Sequence, residues 1–192
     1  MRPIHSWLAG YVAAHNKAVD SVSLDDIAEL VALVKEALAK DRRIFVIGNG
    51  GNAATAAHFA TDLGKGASDR IGRRFKVMSL TDNTAWVTAI GNDYGYEDVF
   101  VRQLENFAEG GDLVLALSVS GRSPNCLKAL QWARSNGLRT AAIVGETGNE
   151  MAAIADRVVV VASAHYGHVE DVQMEICHMI CYAFIDRAEH TE

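Results

Sequence analysis

A three-layer α/β sandwich with about five parallel strands is the fold this sequence predicts. Three observations carry it. Short apolar runs suited to strands buried on both faces recur at residues 44–47, 76–80, 113–117, 140–144 and 158–161. Helix-patterned segments separate them, at lengths that suit right-handed crossovers between parallel strands. Two of the runs lead directly into a glycine- or serine-rich turn and then a helix. The chain has 192 residues, enough for one domain with a full core, and it shows no fixed-period repeat or low-complexity stretch. Residues 1–192 therefore read as a single domain, with 1–40 a helical segment for packing or assembly.

In chain order, Trp7, Leu8, Val12 and Val19 recur at roughly helical spacing within residues 4–20. Ser23 and Asp25 suit the start of a second helix, whose apolar stripe is Ile27, Leu30, Val31, Leu33, Val34 and Leu38. Both helices precede the first strand, so neither is a crossover. After the first strand, turn and helix, residues 67–74 read as a polar loop carrying Arg70, Arg73 and Arg74. The second strand is followed by Thr81, Asp82 and Asn83, which offer a cap for a helix over 84–91. Residues 91–96 read as a turn-rich loop, and Phe100, Leu104 and Phe107 mark another helix. The third strand runs into Ser118, Ser120 and Ser123, then a helix over 124–136 with Pro124 at a first-turn position. A fourth strand, a short helix near 150–154 and a fifth strand follow. The last helix starts near Val169 and carries Val172, Ile176, Met179, Ile180 and Phe184 as its apolar stripe, with His178 inside the apolar part.

Bulk properties narrow the function. A net charge of −6 argues against general binding to nucleic acid or to an anionic membrane. No apolar run approaches the roughly 18 residues that span a bilayer, and the first ten residues lack a secretory apolar core. Cys126, Cys177 and Cys181 read as reduced core residues of a cytoplasmic protein.

Two loops carry chemistry, and both should lie at the carboxyl edge of the sheet, where such folds bind ligands. Gly48, Gly50 and Gly51 allow a tight turn before a helix that begins at Asn52, an arrangement that suits an anion. His58 and Asp62 follow at i and i+4, on one helix face. The serine loop offers three hydroxyls and a helix N-terminus, which match the oxygens of a phosphate monoester without a lysine. The bland alternative there is a helix cap by Ser120. The glycine loop also fits the loose dinucleotide fingerprint over Gly48, Gly50 and Ala53. That reading lacks an acid at the expected spacing and leaves the serines unexplained. On the last helix Glu170 and His178 are eight residues apart, about 12 Å along the axis. His58, Asp62, Glu170 and His178 make either a Zn²⁺ ligand set or a metal-free acid/base set. The separation of Glu170 from His178 points to a site shared across a subunit interface.

These residues resemble the sugar isomerase (SIS) domain, and within it the phosphoheptose isomerases that interconvert sedoheptulose 7-phosphate and D-glycero-D-manno-heptose 7-phosphate. The resemblance spans nearly the whole chain. It is carried by GNGGNAATAAHFATDL, IGNDYGYEDVF, GDLVLALSVSGRSPN and VEDVQMEICHMIC. It implies a homotetramer with active sites at subunit interfaces. It implies substrate contacts from Asn49, Gly50, Gly51, Asn52, Asn92 and Asp93, with Ser118, Val119, Ser120 and Ser123 on the phosphate. His58, Asp62, Glu170 and His178 fall on the family's zinc and acid/base positions, with Asp62, His178 and Glu170 as the catalytic set. The family usually has Glu at Asp62 and Gln at Glu170. An alternative register of the last helix would place that Gln on Gln173. A related branch keeps the fold without catalysis, so a sugar-phosphate-binding regulator or assembly factor is the competing function.

Overall fold

The structure, a computed structural model, describes residues 3–187. In chain order the elements are α1 (Pro3–Asp20), α2 (Leu24–Ala39), β1 (Arg43–Gly48), α3 (Gly51–Thr61), a π-helical segment (Asp62–Ala67), α4 (Ser68–Ile71) and β2 (Lys76–Ser79). There follow α5 (Thr84–Asp93), a 3₁₀ turn (Tyr96–Asp98), α6 (Val101–Phe107), β3 (Leu113–Ser118) and α7 (Pro124–Ser135). The chain then closes with β4 (Arg139–Gly145), α8 (Asn149–Ala152), β5 (Arg157–Val161) and α9 (Tyr166–Ile185).

All five strands are parallel, in the order β2-β1-β3-β4-β5. The strand period of two divides the core. Ile44 and Val46 of β1, with Leu113, Leu115 and Leu117 of β3, pack with α2, α3 and α9. Phe45 and Ile47, with Val114 and Ala116, pack on the other face with α6, α7 and Met151. Every residue of β3 is buried, as its continuous apolar run requires. The order reverses between β1 and β3, because the chain leaves β1 toward β2 and returns on β1's far side. The carboxyl ends of those two strands therefore flank a crevice that no crossover covers.

The expected elements are present with three adjustments. Residues 67–74 are not a loop from the start: helix continues through the π segment and α4, and ends at Gly72 with φ +69°. Burial explains this. Leu63, Ala67 and Ser68 face the core, and Ser68 Oγ donates to the Leu63 carbonyl and accepts from the Phe75 N–H. Second, α5 runs through Asp93, so Asn92 and Asp93 end a helix and are not in a loop. Third, α9 begins at Tyr166, because His165 Nδ1 caps it by accepting from the His168 N–H. Its buried stripe runs through Val172, Ile176, Cys177, Ile180, Cys181 and Phe184, while Met179 faces outward.

The two N-terminal helices differ. α2 starts on Ser23, which accepts from the Asp26 N–H, and buries Ile27, Leu30, Leu33, Val34, Ala37 and Leu38 on the sheet. α1 buries only Ala18. It rests on α9 through His15, bonded to Glu175 at 3.1 Å, and through Tyr11, edge-on to the buried His168. Its apolar row of Ile4, Trp7, Leu8 and Val12 faces outward and is more than half exposed. No helix of the described residues is long and apolar enough to cross a membrane.

The three thiols are free and buried, two of them in the seam between α9 and the sheet. Burial pushes Cys126 up to about 12. Burial, and then the nearby Asp62 carboxylate, pushes Cys177 up to about 12 as well. The thiolate is the reactive form. Iodoacetamide should therefore leave all three unmodified in the native protein at mildly alkaline pH and label them after denaturation. Mass spectrometry of intact protein reads the result, and a label on the folded chain would contradict this packing.

Candidate active site

The crevice between β1 and β3 holds the two chemical loops side by side. Gly48 of β1 is in register with Leu117 of β3, one residue before Ser118. The lining residues form a pocket of about 350 Å³: Asn49, Gly50, Gly51 and Asn52 on one side, Ser118, Val119, Ser120 and Ser123 on the other, and Tyr166 and Glu170 from α9. A second surface cavity of about 330 Å³, between α5 and α6, shares no lining residue with it.

Each wall has a local cause. Ser118 Oγ accepts from the Gly121 N–H at 3.0 Å, which folds the loop back on itself. Ser120 Oγ accepts from the Arg122 N–H at 3.3 Å and lies outside the helix. The N-cap of α7 is Ser123, and its side chain makes no capping bond. The bland reading of Ser120 as a cap therefore fails; Pro124 has no N–H and the Cys126 N–H donates to Asn125 Oδ1, so the first turn of α7 offers an anion the Asn125 N–H, beside a Ser123 hydroxyl 3.4 Å from Ser118 Oγ. On the opposite wall Asn52 is 4% exposed, and its Oδ1 has no partner among the described residues. A ligand hydroxyl in the pocket would supply one. Glu170 reaches this pocket from the first turns of α9 and lies against Gly51. A Cβ on Gly51 would meet the Glu170 carboxylate at 2.5–2.6 Å. Gln173 points elsewhere: it is fully buried and donates to the Ile143 carbonyl of β4. Of Glu170 and Gln173, it is thus Glu170 that faces the crevice.

A second cluster lies further along the same two helices. His58 Nε2 is 3.1 Å from Asp62 Oδ2, His178 Nε2 is 3.6 Å from the same oxygen, and the two imidazole nitrogens are 3.0 Å apart. His178 is half exposed, contrary to the buried position its apolar neighbours imply. It sits on the edge of the α9 stripe, where the helix turns toward α3. One ligand atom from each of the three residues lies within 4.8 Å of the others. A tetrahedral zinc held at about 2.0–2.1 Å by nitrogen and oxygen separates its ligand atoms by about 3.3 Å. The observed 3.0, 3.1 and 3.6 Å bracket that value. Among the described residues, this three-residue donor set fits such an ion.

Of the sequence-predicted residues, three of the four proposed metal ligands converge and Glu170 stands apart in the pocket. His58 is seven residues past Gly51 on α3, about 10 Å along the helix. Asn92 and Asp93 are exposed at the end of α5, with Asn92 Nδ2 bonded to Asp93 Oδ1 at 2.9 Å. They do not line the pocket of their own chain. Sequence reasoning missed Tyr166, Tyr96 and Asn125 around the site. The last two fall within motifs it had singled out, but helix and loop position alone gave no sign of their partners.

A family model, the SIS domain, matches residues 9–145, well over half of the chain. A probable phosphoheptose isomerase of Thermoplasma volcanium is 36% identical over 174 residues, covering 91% of this chain and 88% of that protein. A phosphoheptose isomerase of Geobacter sulfurreducens is 39% identical over 156 residues, covering 81% and 82%. The chain belongs to the SIS-domain phosphoheptose isomerase family. A phosphoheptose isomerase structure from Neisseria gonorrhoeae superimposes with a TM-score of 0.87 at 26% identity, over 95% of this chain and 99% of that one. The fold of that structure is thus the fold described above.

Two glycine substitutions separate site from scaffold. In Gly51→Ala the new methyl meets the mobile end of Glu170, which can swing away. Turnover should fall while thermal stability stays within a few degrees. In Gly121→Ala the methyl falls on the Gly148 backbone at a residue with φ +61°. Neither can give, so the cost should reach roughly 2–4 kcal/mol. Calorimetric melting of the two variants tests the contrast; equal destabilisation would refute it.

Proposed function

We propose that this chain is an aldose–ketose isomerase of phosphorylated sugars, converting sedoheptulose 7-phosphate to D-glycero-D-manno-heptose 7-phosphate through a cis-enediol. The observation that carries the reading is one pocket lined by an uncapped serine loop and a carboxylate, beside a His/Asp/His cluster. The serines and the α7 N-terminus would hold the phosphate and so set the register of the reacting carbons. A carboxylate takes a proton from C1 while an imidazolium gives one to the C2 oxygen, leaving the enediol. The first proton returns to C2, the O1 proton passes to the imidazole, and the aldose results with both groups restored.

Asp62 is the base in this reading, His178 its acid partner, and Glu170 the carboxylate that faces the sugar from its own chain. In the alternative to this metal-free acid/base set, His58, Asp62 and His178 would hold Zn²⁺, which, when bound, supplies Lewis-acid stabilisation of developing oxygen charge in place of the imidazolium proton. Glu170 would join as a further ligand or acid/base group only through a neighbouring copy. The outward row of Ile4, Trp7, Leu8 and Val12 supports assembly, since apolar patches of this kind are usually covered. A homotetramer with shared sites, in the cytoplasm, fits these features. So does a whole chain acting as one SIS domain with residues 1–40 as its packing segment. Asn92 and Asp93 would then reach the sugar of a neighbouring site.

Turnover of sedoheptulose 7-phosphate by the purified protein, with metal content measured alongside, tests the assignment. Asp62→Asn and His178→Gln should each lower kcat by roughly 10²–10⁴-fold while the sugar phosphate still binds. Glu170→Gln, which installs the family's usual amide, should keep kcat within about tenfold. His58→Ala should lose bound zinc as read by elemental analysis. Tight sugar-phosphate binding without turnover would favour the regulator instead.

A further inference from the structure

Asn49 and Asn125 form a reciprocal amide pair. Asn49 Nδ2 donates to Asn125 Oδ1 at 2.9 Å, and Asn125 Nδ2 donates to Asn49 Oδ1 at 2.8 Å. Tyr96 Oη donates to the same Asn49 oxygen at 3.0 Å. The Cys126 backbone N–H donates to Asn125 Oδ1 at 3.0 Å. That last bond sets the polarity of the rest. A backbone N–H can only donate, so the Asn125 atom facing it is the oxygen. The other Asn125 atom is then nitrogen, and the Asn49 atom opposite it must be oxygen. Two donors occupy that oxygen's two lone pairs. Asn49 is left with one Nδ2 hydrogen to offer.

Asn49 lines the serine-loop pocket, whereas Asn125 does not, and Asn125 is 2% exposed. We propose that Asn125 is a positioning residue that makes Asn49 an obligate hydrogen-bond donor to the bound sugar phosphate. The inference rests on the sugar-phosphate reading above and adds a rule of specificity to it. The ligand atom at Asn49 must be an oxygen that accepts, such as a hydroxyl, carbonyl or phosphate oxygen. A protonated amine at that position meets an N–H and is disfavoured. Without the pair, the two faces of the Asn49 amide differ little in energy, and the pocket would present donor and acceptor in turn.

Asn125→Asp and Asn125→Leu in the full chain test this, with sedoheptulose 7-phosphate and inorganic phosphate as probes. An ionised Asp at 125 has no hydrogen for the Asn49 oxygen, so in either orientation of the Asn49 amide its oxygen faces a carboxylate oxygen, and the polarity is no longer fixed. The neutral acid regains one donor and restores the original polarity. The ratio of the Asn125→Asp KM to the wild-type KM should be about ten at neutral pH, the worth of one hydrogen bond. It should fall toward one as pH drops and the carboxyl protonates, with kcat less affected. Asn125→Leu should show a raised ratio at every pH. Inorganic phosphate, held by the serine loop, should bind all three proteins within about threefold of each other.

An unchanged KM in the variants, a ratio flat with pH in Asn125→Asp, or equal loss of phosphate and sugar phosphate would each overturn the proposal. Should Asn125→Leu fail to fold, the pH ratio within Asn125→Asp still decides. Absence of wild-type turnover would instead count against the isomerase reading, and calorimetric Kd values for the same probes would then replace KM.

Discussion

Parallel pairing of β1 with β3 is the constraint on which the rest of this molecule depends. Ile44 to Gly48 lie in register with Leu113 to Leu117, which sets two unrelated loops at one height on the same edge. The crossovers leave that edge in opposite directions, to β2 on one side and β4 on the other, so the loops face each other across an open crevice. Neither loop is a site alone. The glycine turn has backbone and amides, the serine loop hydroxyls, and the register joins them into one pocket of about 350 Å³.

α9 couples that pocket to the His/Asp/His cluster. It lies along α3, with its buried stripe on the sheet and its flank toward α3. Glu170 near its start meets Gly51, and His178 two turns on meets His58 and Asp62. The absence of a side chain on Gly51 is what lets the carboxylate come so close to the N-terminus of α3, where the helix dipole favours it. Asp62 opens the π-helical segment, an insertion that recurs at functional sites.

Much of the fold was legible because its signals are local. Five apolar runs, their turns and the caps at Ser23 and Asn83 follow from periodicity and hydrogen-bonding chemistry that neighbouring residues supply. The errors came where burial overrode local polarity. Residues 67–71 look like a polar loop, yet Ala67 and Ser68 are buried and hold helix. Met179 looks like core and faces out, because the turn of α9 carries Cys177 and Cys181 inward instead. His58 with Asp62 was legible from an i,i+4 spacing. The approach of His178, 120 residues away in sequence from His58, was not a matter of spacing at all.

The sequence by itself determined the element types, the parallel class, the two ligand-facing loops and the residue kinds available for phosphate and metal. Each of these depends on a residue and its near neighbours. Only the tertiary structure decided which of them meet. It placed Glu170 in the crevice and sent Gln173 into the core, since a 100° step per residue cannot be anchored from sequence without knowing which face the sheet claims. It separated Glu170 from His58, Asp62 and His178, which converge, and it left Asn92 and Asp93 outside the β1/β3 pocket of their own chain. It also tied Asn49 to Asn125 and Tyr96, partners 76 and 47 residues away. Hydrogen-bond polarity is a property of networks, and that network exists only once β1, the 3₁₀ turn and α7 are assembled.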